Sequence, residues 1–314
     1  MQTSNWTQVT EFILVGLTEE PGLQLPLFVF FLLVYIITLV CNMGIMSLIV
    51  LNHHLHIPMY FFLCSLSFID MFLSSVTLPI LLANFLSKTK TIPFSGCVTQ
   101  MFLSFVVGGS EVFLLAVMAY DRYSAICNPL LYPVIINQQT CIYFVVLILV
   151  IALTNGMTNA ILTFSLPFCK SNKITHFYCD APPIIKLACS DTTVNEVVLV
   201  SSAGGLIVIS LIIILISYCY ILSAILKISS TDGRKKAFST CSSHFVCVTL
   251  FFGTLVFMYG KPTSSHSMAQ DQVASVFYMV MIPMFNPLIY SLRNQEMKQT
   301  LRKFIAGMCA SRQR

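Results

Sequence analysis

Long apolar runs with almost no charge dominate this sequence. Only 9% of its 314 residues are charged and 57% are hydrophobic, whereas about 25% of the residues of a soluble domain are charged. From Thr91 to Ser110 there is no Lys, Arg, Asp or Glu. Because about 20 apolar residues cross a bilayer as a helix, the pattern predicts an all-α membrane protein and excludes a soluble globular domain.

Seven such runs predict seven transmembrane helices, at about 25–51, 59–86, 97–123, 140–166, 197–226, 237–259 and 272–292. Residues 1–24 are then a polar head, 25–292 a seven-span domain and 293–314 a basic tail. No apolar segment directly follows a basic N-terminal region, so we expect no cleaved signal peptide. Apolar residues of the tail recur near helical spacing and predict a short amphipathic helix on the membrane surface: Met297, Leu301, Phe304 and Ile305.

The distribution of basic residues predicts the orientation. With seven spans, eleven Lys and Arg residues fall on the tail side and six on the head side, which indicates a cytoplasmic tail and an extracellular head. Asn5, in Asn-Trp-Thr, is then a candidate for glycosylation. Four loop cysteines on the oxidising side are disulfide candidates, and they allow three pairings: Cys97, Cys169, Cys179 and Cys189.

A few polar and charged residues interrupt the apolar runs. Asp70 and Glu111 lie at membrane depth on neighbouring spans, where they share a proton, bind a cation or serve as neutral structural groups. Asn42 either makes a structural hydrogen bond or joins a functional polar network. Asp121 and Arg122 end the third span, and such a pair can be joined in one state and separated in another. The alternative is that Arg122 is an interfacial anchor.

Five motifs carry a resemblance to a known family: Leu55–Leu63 (LHIPMYFFL), Met118–Cys127 (MAYDRYSAIC), Ser217-Tyr218, Lys236–Cys241 (KAFSTC) and Pro283–Asn294 (PMFNPLIYSLRN). They resemble the odorant (olfactory) receptors of the tetrapod class, within the rhodopsin-like G protein-coupled receptors. The resemblance covers nearly the whole chain. The sequence departs from the family pattern at a few positions: Cys41, Ile57, Ser124 and Phe252.

The resemblance implies roles for several residues. It implies disulfides between Cys97 and Cys179 and between Cys169 and Cys189. It implies an activation switch and a hinge, formed by Asp121, Arg122, Tyr123, Tyr218, Asn286, Pro287 and Tyr290. It implies a polar core, formed by Asn42, Asp70 and Glu111, in which a sodium ion is the one candidate cofactor. We expect no catalytic residues and no other metal site.

A ligand cavity is implied between the outer halves of spans three, five, six and seven. Helical spacing and the resemblance select its candidate residues: Met101, Ser104, Phe105, Gly108, Ser202, Leu206, Phe252, Leu255 and Tyr259. The alternative is that these residues only pack against their neighbours. None is charged, so we expect a small, neutral, volatile organic ligand held by apolar contacts and one or two hydrogen bonds.

The resulting hypothesis is an odorant receptor of the plasma membrane that activates a stimulatory, olfactory-type G protein and raises cyclic AMP. Its partners are an odorant, that G protein and membrane lipid, and not nucleic acid. One alternative is a rhodopsin-like receptor for a non-odorant small molecule outside the nose. A transporter is disfavoured because no internal repeat is visible, and an enzyme because no nucleophile at membrane depth has an obvious base beside it.

Overall fold

A bundle of long helices forms most of the protein. The computed structural model describes residues 9–18, 20–169, 171–259, 268–293 and 296–303. In those residues six helices are long and apolar enough to cross a membrane, and a shorter apolar stretch, Cys241–Phe257, lies in one further helix. The chain is therefore a mostly helical, seven-span membrane protein, and the small sheet described below is the departure from the all-α prediction. Spans one to seven are Pro21–Leu51, Pro58–Leu86, Phe94–Cys127, Gln138–Phe164, Thr193–Leu226, Thr231–Tyr259 and 268–293.

The third span is the centre of the bundle. It packs against the second, fourth, fifth and sixth spans, and most of its residues are buried. At Gly156 on the fourth span, an added Cβ would lie 2.9 Å from Val106 and 3.3 Å from the carbonyl of Phe102. The third and fourth spans can therefore approach this closely only because residue 156 has no side chain. The first, fourth and fifth spans expose many large apolar side chains outward, as contact with lipid requires.

The seventh span changes its helical geometry along its length. It consists of an α-helix, Met268–Val276, a π-helical turn, Phe277–Met281, and a second α-helix, Ile282–Arg293. The N–H of Ile282 bonds to the carbonyl of Phe277, five residues earlier, which is the π-helical spacing. The two prolines that the sequence places in this span both lie in the part after the π-helical turn.

A small sheet, which was not predicted, lies at the head of the bundle. Strand β1 (Glu11–Leu14) pairs antiparallel with β2 (Thr91–Pro93) and parallel with β3 (Lys173–Ile174). Phe12 and Leu14 on β1 are fully buried. The strand reads Glu-Phe-Ile-Leu, with three apolar residues in succession, so it lacks the alternation of apolar and polar residues that predicts a half-buried strand. The sheet ties the head of the chain to two of the loops between spans.

On the tail side, a helical segment at 296–303 packs against the loop between spans one and two and against the first turn of span two. Tyr60 donates a hydrogen bond from its hydroxyl to Oε2 of Glu296 (2.8 Å), and Nε2 of His54 lies 3.1 Å from Oγ1 of Thr300. Met297 is fully buried, whereas Leu301 is exposed. Phe304 and Ile305 of the predicted amphipathic helix, like Asn5 in the head, lie outside the described residues.

Candidate functional site

A cavity of about 80 Å³ opens in the half of the bundle nearer the head. Spans three to seven and the 165–192 loop contribute residues to its wall. Five of the residues predicted for a ligand cavity line it: Ser104, Phe105, Gly108, Leu206 and Leu255. Helical spacing on the third span therefore selected three residues that share this wall.

Three other candidates lie elsewhere. Met101, one turn from Ser104, is buried in a separate apolar cluster beneath the loop. The hydroxyl of Ser202 accepts a hydrogen bond from Asn159 (3.2 Å), so it belongs to the contact between spans four and five. Phe252 is buried in the main core against Phe251. The side chain of Tyr259 lies outside the described part of the chain.

Four polar residues of the cavity wall were not predicted. Asn155 comes from the fourth span, Tyr178 and Asp180 from the 165–192 loop, and Tyr278 from the π-helical turn of the seventh span. The loop residues stand in a distinctive run, His176-Phe-Tyr-Cys-Asp180, but only its folding brings two of them to the cavity.

Gly108 leaves space for a tyrosine of the opposite wall. A Cβ added at residue 108 would lie 2.5 Å from the hydroxyl oxygen of Tyr278. The ring of Tyr278 is buried and packs on Phe251, with ring centroids 5.5 Å apart. Because that ring is held in place, the approach of span seven to span three depends on the absence of a side chain at residue 108.

Two disulfides and a glutamine hold the 165–192 loop over the cavity. Both disulfides join the cysteines that the family resemblance implied: Cys97 with Cys179, and Cys169 with Cys189. Gln100 was not predicted as a functional residue. Its Oε1 accepts a hydrogen bond from the N–H of Cys179 (2.9 Å), and its Nε2 donates to the carbonyl of Val76 (3.1 Å). The loop is therefore fixed to span three by a covalent bond and a hydrogen bond beside it.

Two titratable groups of this loop have shifted pKa values. Burial lowers the pKa of His176 to about 4, and its Nε2 lies 3.2 Å from the hydroxyl of Ser275. Burial raises the pKa of Asp180 to about 6, with a smaller contribution in the same direction from Asp271. At neutral pH, His176 is therefore uncharged.

A buried polar core connects spans two, three and seven. Nδ2 of Asn286 donates to Oδ1 and Oδ2 of Asp70 (3.2 and 3.1 Å) and approaches Oε1 of Glu111 (3.4 Å). Asp70, Glu111 and Asn286 are all buried. In the ranges that the structure describes, no group of three or more His, Cys, Asp or Glu residues could hold a metal ion.

Asn42 stabilises the seventh span near this core. Its Nδ2 donates to the carbonyl of Pro283 (3.1 Å). In a regular helix that carbonyl would accept from the N–H of residue 287, but Pro287 has none. The Asn42 side chain therefore replaces the hydrogen bond that the proline removes.

The predicted switch residues meet on the tail side of the bundle. Asp121 and Arg122 are buried, and Oδ1 of Asp121 accepts a hydrogen bond from the Tyr132 hydroxyl (2.8 Å). Tyr218 and Tyr290 are also buried, and both lie within electrostatic range of Arg122. Spans three, five and seven thus contribute to one region, as a switch requires.

His244 belongs to the same region and was not predicted. Its Nε2 lies 3.1 Å from the carbonyl of Leu115, and its Nδ1 lies 2.7 Å from the Tyr218 hydroxyl. Because a carbonyl can only accept, Nε2 carries the proton and Nδ1 accepts from Tyr218. His244 therefore joins spans three, five and six. In the sequence, His244 lies three residues after the Lys236–Cys241 motif ends.

The seven spans thus enclose a cavity near the head, and the residues predicted to form a switch meet near the tail. The fold is that of squid rhodopsin, with a TM-score of 0.69 and 15% sequence identity, over 90% of this chain and 81% of the rhodopsin chain. Residues 31–307 match the olfactory receptor family model. Olfactory receptor 5AP2 of Mus musculus is 52% identical over 305 residues, covering 97% of this chain and 96% of that one. Olfactory receptor 8U8 of Homo sapiens is 52% identical over 303 residues, covering 96% and 94%.

The chain belongs to the olfactory receptor family. Its relatives are receptors and not enzymes. Membership of the family implies an odorant ligand, a G protein partner and a location in the plasma membrane as a multi-pass protein.

Proposed function

We propose that this chain is an odorant receptor that binds a small, neutral, volatile organic molecule among spans three, five, six and seven and activates a stimulatory, olfactory-type G protein, raising cyclic AMP. The observation that carries the ligand class is the cavity itself. Its volume of about 80 Å³ is well below the roughly 300 Å³ at which drug-sized pockets begin. Its wall combines apolar side chains, such as Phe105, Leu206 and Leu255, with a few polar groups and the carboxyl group of Asp180, which the sequence prediction of an uncharged wall did not include.

Direct contact with the ligand is assigned to the predicted residues that line this cavity, Ser104, Phe105, Gly108, Leu206 and Leu255. Met101, Ser202 and Phe252 influence binding through the packing behind the wall. Tyr259, whose side chain lies outside the described part of the chain, is assigned to ligand contact as well.

Signal transfer is assigned to the polar core and the switch. Ligand contact with Tyr278 shifts the seventh span, in which Asn286, Pro287 and Tyr290 form the hinge. Asn286 contacts both Asp70 and Glu111, so movement of the hinge changes the polar core. The shift ends at Asp121, Arg122, Tyr123 and Tyr218, where the G protein binds.

The polar core also fits a sodium ion. Two carboxylates, from Asp70 and Glu111, meet there, and Oε2 of Glu111 is buried without a hydrogen-bond partner among the described residues. Oxygen ligands of this kind suit a hard cation. When bound, the ion would balance their negative charge.

The orientation proposed is the one that the basic residues favour. Residues 1–24 are extracellular, 25–292 form the seven-span domain and 293–314 are cytoplasmic. Asn5 then carries a glycan, and the 165–192 loop with its two disulfides faces the oxidising side.

The test is a cyclic AMP assay in cells that express the receptor, challenged with a broad panel of neutral odorants of different functional groups. Arg122→Ala, at matched surface density, should abolish a dose-dependent response. Lys227→Ala removes an exposed basic charge on the same side and should leave the response in place. Equal loss in both variants would indicate interfacial anchoring rather than a switch. A ligand response without cyclic AMP would contradict the stimulatory coupling.

A further inference from the structure

Asp180 places a carboxylate in the cavity wall. Its Oδ1 accepts one hydrogen bond, from the N–H of Ala181 (2.9 Å), and its Oδ2 accepts one, from the Tyr178 hydroxyl (3.2 Å). A carboxylate offers about four lone-pair positions. Both oxygens of Asp180 therefore retain capacity to accept another hydrogen bond.

The charged surroundings of Asp180 favour a donor as its next partner. Asp271 acts on it with the same sign of charge, and His176 of the same loop is uncharged at neutral pH because burial lowers its pKa to about 4. No lysine or arginine in the described ranges forms an ion pair with Asp180. A ligand atom that can only accept hydrogen bonds would meet repulsion here, whereas an N–H or O–H would be attracted.

A second polar group of the wall, the Ser104 hydroxyl, has no hydrogen-bond partner among the described residues. Ser104 lines the cavity and is 8% exposed as a residue, and its hydroxyl is buried. A buried hydroxyl without a partner is unfavourable. A ligand polar atom that reaches Ser104 would relieve this, so the cavity is arranged for a ligand with a polar head and an apolar body.

We propose that the cavity selects small alcohols, and that Asp180 accepts the hydrogen bond that the alcohol donates. The hydrocarbon part of the alcohol lies against Phe105, Leu206 and Leu255. Ethers, esters and ketones of the same shape cannot donate a hydrogen bond. Their oxygen atoms would therefore place a lone pair against the Asp180 carboxylate, which is repulsive. A site built to bond a hydroxyl rejects analogues that lack one. The inference rests on the proposed function and narrows its ligand class.

Matched ligands and matched variants test this. A series of primary alcohols is compared with the methyl ethers, ketones and primary amines of equal chain length, in the cyclic AMP assay at matched surface density. Asp180→Asn keeps an oxygen for the helix cap, since Asn caps as well as Asp, but removes the carboxylate. Tyr178→Phe keeps the carboxylate and removes the neighbouring hydroxyl. Leu206→Val changes only the apolar wall.

The wild-type receptor should respond to an alcohol at concentrations about 10-fold to 100-fold lower than to its ether. That ratio should fall to within about 3-fold in Asp180→Asn and should persist in Tyr178→Phe. Leu206→Val should shift the potencies of alcohol and ether together. If Asp180→Asn does not reach the surface, stabilisation of the detergent-purified wild-type and Tyr178→Phe receptors by alcohol over ether provides the test.

The outcomes separate this inference from the proposed function. Equal potency of alcohols and ethers would overturn the inference, and so would an alcohol preference that survives in Asp180→Asn. In either case, a response to other odorants would still support the proposed receptor function. Failure of the whole alcohol series to activate or stabilise the receptor would also overturn it. Amines that exceed alcohols and depend on Asp180 would support a donor site but contradict the choice of alcohols, and with it the neutral ligand of the proposed function.

Discussion

Replacing Gly108 with alanine should destabilise the receptor, whereas the same change at Gly109 should not. The two residues are adjacent on the third span, and both line the cavity. An added Cβ at residue 108 would lie 2.5 Å from the Tyr278 hydroxyl oxygen, but at residue 109 the nearest atom would be Ala152 Cβ, at 3.6 Å. Only the second distance is an ordinary van der Waals contact.

The expected difference follows from helix propensity and overpacking. Each Gly→Ala change gains up to about 1 kcal/mol of helix stability. Overpacking a buried site costs about 1–3 kcal/mol, and this applies only at residue 108, because the ring of Tyr278 is buried against Phe251 and cannot simply rotate away. Gly108→Ala should therefore be about 1–3 kcal/mol less stable than Gly109→Ala, and it should also alter ligand potency by moving Tyr278.

The measurement is thermal inactivation of the two variants and the wild type in detergent. A single heating rate is used because irreversible unfolding reports a rate. The double variant Gly108→Ala with Tyr278→Phe removes the clashing oxygen and should recover part of the loss. Equal stability of Gly108→Ala and Gly109→Ala would refute the proposed contact between spans three and seven.

Three further outcomes are expected. Gln100→Ala leaves the N–H of Cys179 without its acceptor and should cost about 1–3 kcal/mol, seen as reduced surface expression, whereas an unchanged level would contradict its role in holding the loop. Tyr218→Phe leaves Nδ1 of His244 buried without a donor and should lower thermal stability by about 1–3 kcal/mol. Burial lowers the pKa of His176 from its ordinary 6.5 to about 4, so the unfolded chain binds that proton more readily and stability is lost as the pH falls from about 6.5 towards 4. The raised pKa of Asp180 changes stability in the opposite direction, and comparison with His176→Gln removes that contribution because both proteins contain Asp180. The free energy of unfolding of the wild type minus that of His176→Gln should fall by up to about 3 kcal/mol between pH 7 and pH 4.

The fold was predictable because a membrane span is a local property of the sequence. In lipid the backbone must satisfy its own hydrogen bonds, so an apolar run of sufficient length forms a helix whatever its neighbours are. The strand β1 was not predictable in this way. Its four residues pair with Thr91–Pro93 and Lys173–Ile174, and nothing local to the head indicates those distant partners.

Helical spacing predicted some of the residues that line the cavity and not others. Spacing identifies the face of a helix, and Ser104, Phe105 and Gly108 do share the cavity wall. It does not identify depth along the axis, so Met101, on the same stripe, lies in another apolar cluster. That distinction depends on where the 165–192 loop closes the cavity.

The sequence alone therefore determined the seven spans, the family and the motifs from which a switch is predicted, because each span and each motif is encoded in a continuous stretch of residues. Only the tertiary structure decided that Tyr278 reaches Gly108, that His244 joins Tyr218 to the third span, and that Asp180 lines the cavity. Each of these contacts joins residues far apart in the chain. Their geometry is set by close packing and by the disulfide and hydrogen bonds that fold the loop inward, and no local pattern records it.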